Sequence, residues 1–350
     1  MNTRKLASSI ISGKETYCQG LHLSARWFAL SKCLGEGINF VILPDKDSAE
    51  YAVSDLYSLL EGDRVFFLPE TGGNVERSNY KSTLGVQRTS AVGRILSTEK
   101  ESVVVVSYPT AIEEKVPQEN NLNQSLLTLR PGDRITHSEL QSRLVDQNFI
   151  KVDFVSAPGQ YSIRGSIIDI FSYTDSIPYR ISFFGNEIEK ISVFDCNTQR
   201  SEGTRDRADI LSDIVAENHE SDGVSIISLL PDSATVWLDS SDMYRNRSFF
   251  EELKPFRKVF LEVPLSVTPA TVVEFHITPQ PVFNKNFELL AADIRDKIEN
   301  GYKVYIYGES NSQLGRVQSI IQELGGLQPE LVVGKNIHAG FVDGDEKVCH

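Results

Sequence analysis

Two arginines and one phenylalanine occupy positions in strand-like sequence from which they could bind a partner. Arg180 and Phe184 belong to the stretch YRISFF, in which every second residue, beginning with the tyrosine, is apolar. Successive side chains of a strand point to opposite faces, so Arg180 and Phe184 are predicted to share the face turned away from the core. Arg164 holds the corresponding polar position in the earlier stretch YSIR. A large aromatic side chain beside an arginine is the composition of a protein-binding hot spot.

The turns next to these strands predict how the side chains are presented. Gly185 and Asn186 directly follow the second phenylalanine and are typical of a two-residue hairpin turn. The alternation of polar and apolar residues changes phase near Gly165, which predicts a β-bulge that redirects the strand after Arg164. Both features indicate short strands in an antiparallel arrangement.

A second interpretation of the same pattern stays open. The arginines would then be solvated or paired with Glu187 and Glu189, and Phe184 would cover a hydrophobic edge. On either interpretation Arg180 and Phe184 lie on an outer face, so replacing either by alanine is expected to leave the fold intact. Phe183 points inward, so its truncation is expected to destabilise the protein.

The best candidate for enzyme chemistry is the loop-to-helix stretch QGLHLSARW near the start of the chain. A phosphate-binding loop ends in Gly-Lys-Ser/Thr because backbone N–H groups and the lysine hold the phosphates. Gly20 is present, but Ser24, Ala25 and Arg26 stand where the lysine and the hydroxyl residue are needed. The sequence also lacks the HExxH, GxSxG and GxGxxG patterns, and its six histidines are scattered. We therefore predict a degenerate nucleotide loop and no catalytic residue.

Composition narrows the class of protein. The chain has 350 residues and a formal net charge of −13, which argues against DNA as its main partner because backbone binding depends on clustered Lys and Arg. Its four cysteines are far apart and form no CxxC pair, so we expect no metal and no cofactor. The sequence has no apolar run of about 18 residues and no recognisable signal peptide. We expect a cytoplasmic protein without a membrane partner.

The elements that must position these residues divide the chain into four segments. Over residues 1–125, buried strand-like runs alternate with helical periodicity, which predicts a parallel α/β domain that contains the degenerate loop. Residues 126–211 open with a helix capped by Thr136 and continue as hairpins, which predicts an inserted mixed α+β domain rich in antiparallel strands. Residues 212–279 are expected to return to the first domain and end in a linker. Residues 280–350 predict a second small α/β domain, and the abrupt end after DEKVCH leads us to expect a fragment of a longer protein.

The stretch YSIRGSIIDIF…PYRISFFGNEIEKISVFDCNTQRS closely resembles a segment shared by UvrB and the bacterial transcription-repair coupling factor, Mfd. The elements Arg-Gly, Asp-Ile-Phe, Arg-Ile, Phe-Phe-Gly, Glu-Ile-Glu, Phe-Asp and Thr-Gln-Arg-Ser appear in the family's order. Ser182 and Asn186 depart from the family pattern, each replacing an acidic residue. The phosphate loop, which is intact in UvrB, is degenerate at Gly20–Arg26, as in Mfd, and the long tyrosine-rich DNA hairpin of UvrB is lacking. The chain is therefore more similar to the N-terminal part of the coupling factors, a UvrB-homology module followed by an α/β domain.

The resemblance implies a binding module rather than an enzyme. In this family the inserted domain recruits UvrA, the damage-recognition ATPase of nucleotide excision repair, and the residues carried over by motif position are Arg164, Arg180 and Phe184. It also implies that the full-length protein is an ATP-dependent DNA translocase, whose contacts with DNA and RNA polymerase lie beyond His350. The module would thus link a stalled RNA polymerase to nucleotide excision repair. An alternative stays open, namely a nucleotide-dependent, helicase-type enzyme fragment of the UvrB class.

Overall fold

The computed structural model describes residues 1–350 except 61–63, 73–78, 99–100, 176, 215–222, 240–241, 243 and 265–267. The chain divides into two compact units, each assembled from separate stretches of sequence. Unit 1 comprises Met1–Val65, Lys100–Pro109 and Asp232–His350, and unit 2 comprises Phe66–Glu99 and Thr110–Pro231. The predicted combination of parallel α/β architecture with antiparallel hairpins is confirmed.

Helices and strands are labelled in chain order. The α-helices are α1 (Thr3–Ser12), α2 (Ala25–Cys33), α3 (Lys46–Leu59), α4 (Asn79–Ser97), α5 (Pro109–Glu113), α6 (Glu119–Ser125), α7 (His137–Asp146), α8 (Phe287–Glu299) and α9 (Asn311–Glu323). The strands are β1 (Glu15–Gln19), β2 (Gly37–Ile42), β3 (Val65–Phe67), β4 (Ser102–Ser107), β5 (Leu127–Leu129), β6 (Ile150–Lys151), β7 (Gln160–Arg164), β8 (Ile167–Phe171), β9 (Tyr179–Phe184), β10 (Glu187–Phe194), β11 (Ser201–Arg205), β12 (Ala208–Ile210), β13 (Thr235–Leu238), β14 (Arg257–Phe260), β15 (Val272–Glu274), β16 (Ile277–Pro279), β17 (Lys303–Gly308), β18 (Glu330–Val333), β19 (Phe341–Asp343) and β20 (Val348–Cys349). Among the described residues, no helix combines the length and the apolar character that a membrane crossing requires.

Unit 1 is built on six neighbouring strands of one sheet, in the order β15-β1-β14-β13-β2-β4. Its strands pair in parallel wherever the register is described. All residues of β2 and β13 are buried, as expected for apolar strands in a parallel sheet covered on both faces. Strands β13, β14 and β15 follow β5–β12 in sequence, so the chain leaves this sheet after β4 and returns to complete it.

A smaller mixed sheet, β16-β19-β20-β17-β18, also belongs to unit 1. Helices α8 and α9 both contact β17, and Ile294 and Ile321 of these helices share a hydrophobic core with Val304 of the strand. The side chains of Asn286 and Ser310 cap the two helices by accepting hydrogen bonds from backbone N–H groups of the first turn. Helix, strand and helix therefore follow one another here as the sequence pattern predicts.

Unit 2 contains a six-stranded sheet in the order β11-β10-β9-β8-β7-β6, antiparallel except for the β6–β7 pair. One face of this sheet packs against α7 in a single hydrophobic core. The core residues contributed by the sheet and the helix include Leu140, Leu144, Tyr161, Ile168, Ile170, Tyr179, Ile181, Phe183, Ile188 and Ile191. Helix α7 begins after Thr136, whose side chain accepts a hydrogen bond from the Glu139 N–H at 3.1 Å, as the capping pattern predicts.

Two-residue turns join the strands that carry the candidate binding residues. Gly185 and Asn186 connect β9 to β10, with a φ of 63° at the glycine, which confirms the predicted hairpin. Gly165 and Ser166 connect β7 to β8 in the same way, with a φ of 60° at the glycine. The predicted β-bulge at Gly165 is therefore wrong, because the change of phase in the sequence marks a reversal of chain direction. Positive φ at the first turn position favours glycine, which has no Cβ to clash.

Candidate protein-binding face of unit 2

The sheet of unit 2 turns one face to its hydrophobic core and a second face, called the outer face below, away from it. Asp169 lies opposite Ser162 on β7 and opposite Arg180 on β9. Ile168, the neighbour of Asp169, lies in the core, so the alternation of a strand places Asp169 and its two cross-strand partners on the outer face. Arg164 is two residues beyond Ser162 and shares that face. The structure thus brings the two candidate arginines to one side of the sheet.

Asp169 is a buried carboxylate that binds both arginines. Its side chain is completely buried. Oδ1 accepts a hydrogen bond from Nε of Arg180 at 2.7 Å, and Oδ2 accepts one from Nη2 of the same residue at 3.0 Å. Oδ2 also accepts a hydrogen bond from Nη2 of Arg164. Paired N–H···O bonds between a guanidinium and a carboxylate fix orientation as well as charge, so this one anion organises both candidate arginines.

Arg180 is a fixed part of the sheet rather than a mobile surface group. Its Nη1 donates hydrogen bonds to the carbonyl oxygen of Gln199 at 3.1 Å and to Oγ of Ser201 at 3.2 Å. Its guanidinium carbon lies 4.4 Å from the centroid of the Phe194 ring, within the range of a cation–π contact. The hydrogen bonds that Arg180 makes with Asp169 raise the pKa of Arg180, while partial burial opposes the shift. Only 15% of the Arg180 side chain is exposed.

Arg164 is the more accessible of the two arginines. Its side chain is 37% exposed, and its guanidinium carbon lies 5.2 Å from the ring centroid of Phe154. Phe154 is itself 61% exposed and precedes β7 in the loop that follows β6. An arginine and an aromatic ring are therefore presented together at this position.

Phe184 is the last residue of β9 and is 81% exposed. Its neighbour Phe183 is only 4% exposed and contributes to the core, as the alternation of a strand requires. Phe184 lines a groove of ≈ 440 Å³ together with residues of the β9–β10 turn and of the start of α7. Arg134 and Glu187 line the same groove and form an exposed ion pair, with Nε and Oε2 separated by 3.7 Å. The lining of the groove therefore combines an exposed aromatic ring with one positive and one negative side chain.

The arginine pairing differs from the alternative left open by the sequence. Glu187 forms an ion pair with Arg134. The partner of both candidate arginines is Asp169, and not Glu187 or Glu189. Sequence reasoning missed Asp169 and Phe154. Asp169 carries a signal, because a charged residue in the middle of the apolar strand IIDIF needs a partner when buried. Phe154 lies in the irregular stretch KVDFVS, which gives no periodic signal.

The residues of the degenerate nucleotide loop lie in unit 1, at and before the start of α2. Gly20 has a φ of 74°, a backbone conformation that favours glycine, and Ala25 is completely buried. Arg26 donates from Nη1 to Asp239 at 2.6 Å and from Nη2 to Glu262 at 2.9 Å. Burial raises the pKa of Asp239, and the positive charge of Arg26 acts against that shift. The positively charged side chain of this loop, Arg26, is thus paired with carboxylates of the protein itself.

Ser24, the residue before α2, is engaged by a distant segment of unit 1. Its N–H donates to the carbonyl oxygen of Ala339 at 3.4 Å, and its Oγ accepts from the N–H of Ala339 at 2.9 Å. The same hydroxyl donates to Oδ2 of Asp55 at 2.6 Å, while Oδ1 of Asp55 accepts from the N–H of His338 at 2.6 Å. Burial raises the pKa of Asp55. Polar groups that cradle a phosphate in an intact loop therefore bind protein groups here.

Comparisons with known proteins assign the sheet of unit 2 to a described domain. Residues 127–213 match the family model of the UvrB interaction domain. The chain is 34% identical to the transcription-repair-coupling factor of Bacillus subtilis (strain 168) over 201 residues, 55% of this chain and 17% of that protein. It is 31% identical to the factor of Escherichia coli (strain K12) over 106 residues, 30% of this chain and 9% of that protein. UvrABC system protein B of Methanococcoides burtonii is 30% identical over 130 residues, 37% of this chain and 19% of that protein. The chain spans less than a fifth of the length of each of these curated relatives.

The fold and the family match define a protein with an interaction domain of the UvrB class, joined to parallel α/β structure. The Bacillus subtilis factor matches a larger share of the chain, 55%, than the UvrB relative does, 37%. More particularly, the chain is similar over about half of its length to a transcription-repair-coupling factor, in line with the resemblance of its sequence.

Proposed function

We propose that this chain recruits UvrA in transcription-coupled nucleotide excision repair through the outer face of unit 2 and the adjoining groove at the end of β9, with Arg164, Arg180 and Phe184 as contact residues. One observation carries the proposal. Within a UvrB interaction domain, an 81% exposed phenylalanine lies at the end of the strand that carries Arg180, on a sheet where one buried carboxylate fixes both arginines. The domain that binds UvrA would comprise residues 126–211.

The arrangement suits binding because much of it is ordered before a partner arrives. Arg180 is already held by Asp169, Gln199 and Ser201, so little of its side-chain freedom remains to be lost. Immobilising a flexible side chain at an interface otherwise costs about 0.5–1.5 kcal/mol. Arginine and aromatic residues are also the types enriched among the residues that dominate binding free energy.

The charge of the cluster favours an acidic partner surface. Arg164 and Arg180 carry two positive charges and share the single negative charge of Asp169. This surplus of positive charge stands out in a chain whose formal net charge is −13. Complementary charges steer association and exclude wrong partners, so the UvrA surface that docks here should carry carboxylates.

The same proposal makes this chain an adaptor without catalysis, cofactor or metal. Protein groups bind Ser24 and Arg26 at the start of α2, where a nucleotide-dependent enzyme of the UvrB class would need a phosphate. RNA polymerase and DNA would bind other regions of a full-length coupling factor, and the protein would act in the cytoplasm. The coupling to stalled RNA polymerase would come from those regions.

Titration calorimetry of UvrA from the same organism into this chain tests the proposal. We expect saturable binding by the wild-type chain and a large loss of affinity for Phe184→Ala. An exposed phenylalanine of unit 1, Phe287, supplies the matched control, because Phe287→Ala removes the same side chain far from the outer face in sequence. Absence of UvrA binding by the folded wild-type chain would refute the proposal.

A further inference from the structure

We propose that Phe154 is a fourth contact residue of the outer face, and that it acts with Arg164 to dock a carboxylate of UvrA that lies beside an apolar side chain. The inference rests on the proposed function, because it assigns a further residue to the same partner. It extends the site from the strands of the sheet to the loop between β6 and β7.

Phe154 is one of the few phenylalanines of this chain with an exposed side chain. All 18 phenylalanines lie in the described part of the chain, and only Phe154, Phe184 and Phe287 among them reach 36% exposure, at 61%, 81% and 36%. Two of these three belong to the sheet region of unit 2, although burying a phenylalanine ring contributes about 1.5–3 kcal/mol to stability. An exposed aromatic ring in contact with an arginine has the composition of a binding hot spot.

The backbone that presents Phe154 is anchored on both sides. Val155, the next residue, is completely buried in a small cluster with Phe171 and Phe194. The carbonyl oxygen of Asp153 accepts a hydrogen bond from Oγ of Ser162 at 3.1 Å. The ring of Phe154 is therefore displayed from a fixed point, which limits the entropy lost on binding.

Further bonds tie this loop to the strands around it. The N–H of Val152 donates to the carbonyl oxygen of Tyr161 at 2.9 Å, and Nε2 of Gln199 donates to that of Val155 at 3.2 Å. Gln199 also accepts a hydrogen bond from Arg180 through its carbonyl oxygen. The loop that carries Phe154 is thus bonded to the same segment that holds the second arginine.

Arg164 supplies the charged half of the pair. Within the described part of the chain, it donates through Nη2 to Asp169 and leaves Nε and Nη1 for a partner. Its guanidinium carbon lies over the face of the Phe154 ring, 5.2 Å from the centroid, so a carboxylate that binds Arg164 would lie beside the ring. The edge of an aromatic ring is positive and attracts an anion, and the ring face that Arg164 does not cover can contact an apolar side chain. The partner surface should therefore combine these two groups.

Affinity for UvrA and thermal stability, measured on Phe154→Ala, Phe154→Tyr, Phe183→Ala, Phe184→Ala and Phe287→Ala, test the inference. We expect Phe154→Ala to weaken UvrA binding about fivefold or more at an unchanged melting temperature, since such a loss marks an interface contact. Phe154→Tyr retains the ring and therefore the contact, so its affinity for UvrA should stay within about twofold of wild type. Phe287→Ala should bind as wild type does.

The outcomes separate the two proposals. If the wild-type chain binds UvrA and Phe184→Ala abolishes binding while Phe154→Ala does not change it, the inference is wrong and the proposed function stands. If Phe154→Ala lowers the melting temperature as Phe183→Ala does, Phe154 has a structural role and the inference is also wrong. A wild-type chain that does not bind UvrA overturns the proposed function first, and the inference with it.

Discussion

Nε of Arg180 lies 2.7 Å from Oδ1 of Asp169, in a hydrogen bond between directly opposed residues of β9 and β8. The Asp169 side chain is completely buried and that of Arg180 is 15% exposed, so the pair belongs to the structure of the sheet. Removing one partner of a buried ion pair leaves an uncompensated charge, which costs far more than losing a surface pair. The pair gives a physical reason to revise the sequence-based expectation that Arg180→Ala leaves the fold intact.

Arg180→Ala is expected to lower the free energy of unfolding by about 2–4 kcal/mol, because Asp169 would keep only Arg164 as a partner. Arg164→Ala should cost less, since the Arg164 side chain is 37% exposed and donates to Asp169 through Nη2 alone among the described residues. Denaturant titration of both variants measures the difference.

Arg180→Lys provides the control for this prediction. Lysine keeps the positive charge but lacks the planar pair of donors that Asp169 accepts, so an intermediate stability is expected. If Arg180→Ala unfolds at the wild-type denaturant concentration, the pair with Asp169 does not stabilise the sheet. Loss of UvrA binding by Arg180→Ala should therefore be interpreted only beside its unfolding curve.

Phe184→Ala should separate binding from stability most clearly. The ring is 81% exposed, so the free energy of unfolding is expected to stay within about 0.5 kcal/mol of wild type. UvrA affinity should fall about thirtyfold, the effect of losing roughly 2 kcal/mol at a binding hot spot. Phe183→Ala is the matched control, because it truncates a buried core ring and should cost about 3–5 kcal/mol of stability. Similar melting temperatures for the two variants would contradict this assignment of faces.

Nucleotide binding distinguishes the adaptor from a UvrB-type enzyme. ATP with Mg²⁺ is expected to bind this chain no more tightly than about 1 mM. The N–H and hydroxyl of Ser24 are bonded to other groups, and Arg26 is paired with Asp239 and Glu262, whose charges would repel phosphates. Calorimetry with an intact UvrB as positive control measures this. Tighter binding would favour the enzyme alternative.

His350 should make stability depend on pH. Burial lowers the pKa of His350 to about 4, the charge of Lys32 lowers it further, and Asp343 acts in the opposite direction. Nδ1 lies 2.7 Å from the Tyr307 hydroxyl, and the ring stacks on Tyr305 at 5.2 Å between centroids. As pH falls below about 6.5, the unfolded chain takes up a proton that the folded chain does not, so stability is lost until about pH 4.

The expected loss is at most about 3 kcal/mol between these two pH values, from 1.36 kcal/mol per pKa unit. His350→Phe keeps an aromatic ring in the cluster but cannot be protonated, so its unfolding free energy should vary less over this range. Denaturant titrations at several pH values compare the two chains. An equal pH dependence in both would show that His350 does not contribute.

Features that depend on residues close together in the chain were determined by the sequence itself. The two-residue period of YRISFF predicted Phe183 and Phe184 on opposite faces, and Gly185 predicted the turn that follows. Thr136 predicted the start of α7. Each of these depends on backbone geometry over a few residues, which the local order of side chains specifies directly.

Only the tertiary structure decided which groups these side chains meet. One interpretation of the sequence paired Arg164 and Arg180 with Glu187 and Glu189, but the register of three neighbouring strands brings both to Asp169. At the nucleotide loop, Ser24 bonds to Ala339, 315 positions away in the chain. Such pairs depend on strand register and on the closure of long loops. Many compact arrangements satisfy the same local pattern, and only packing of the whole unit selects one of them.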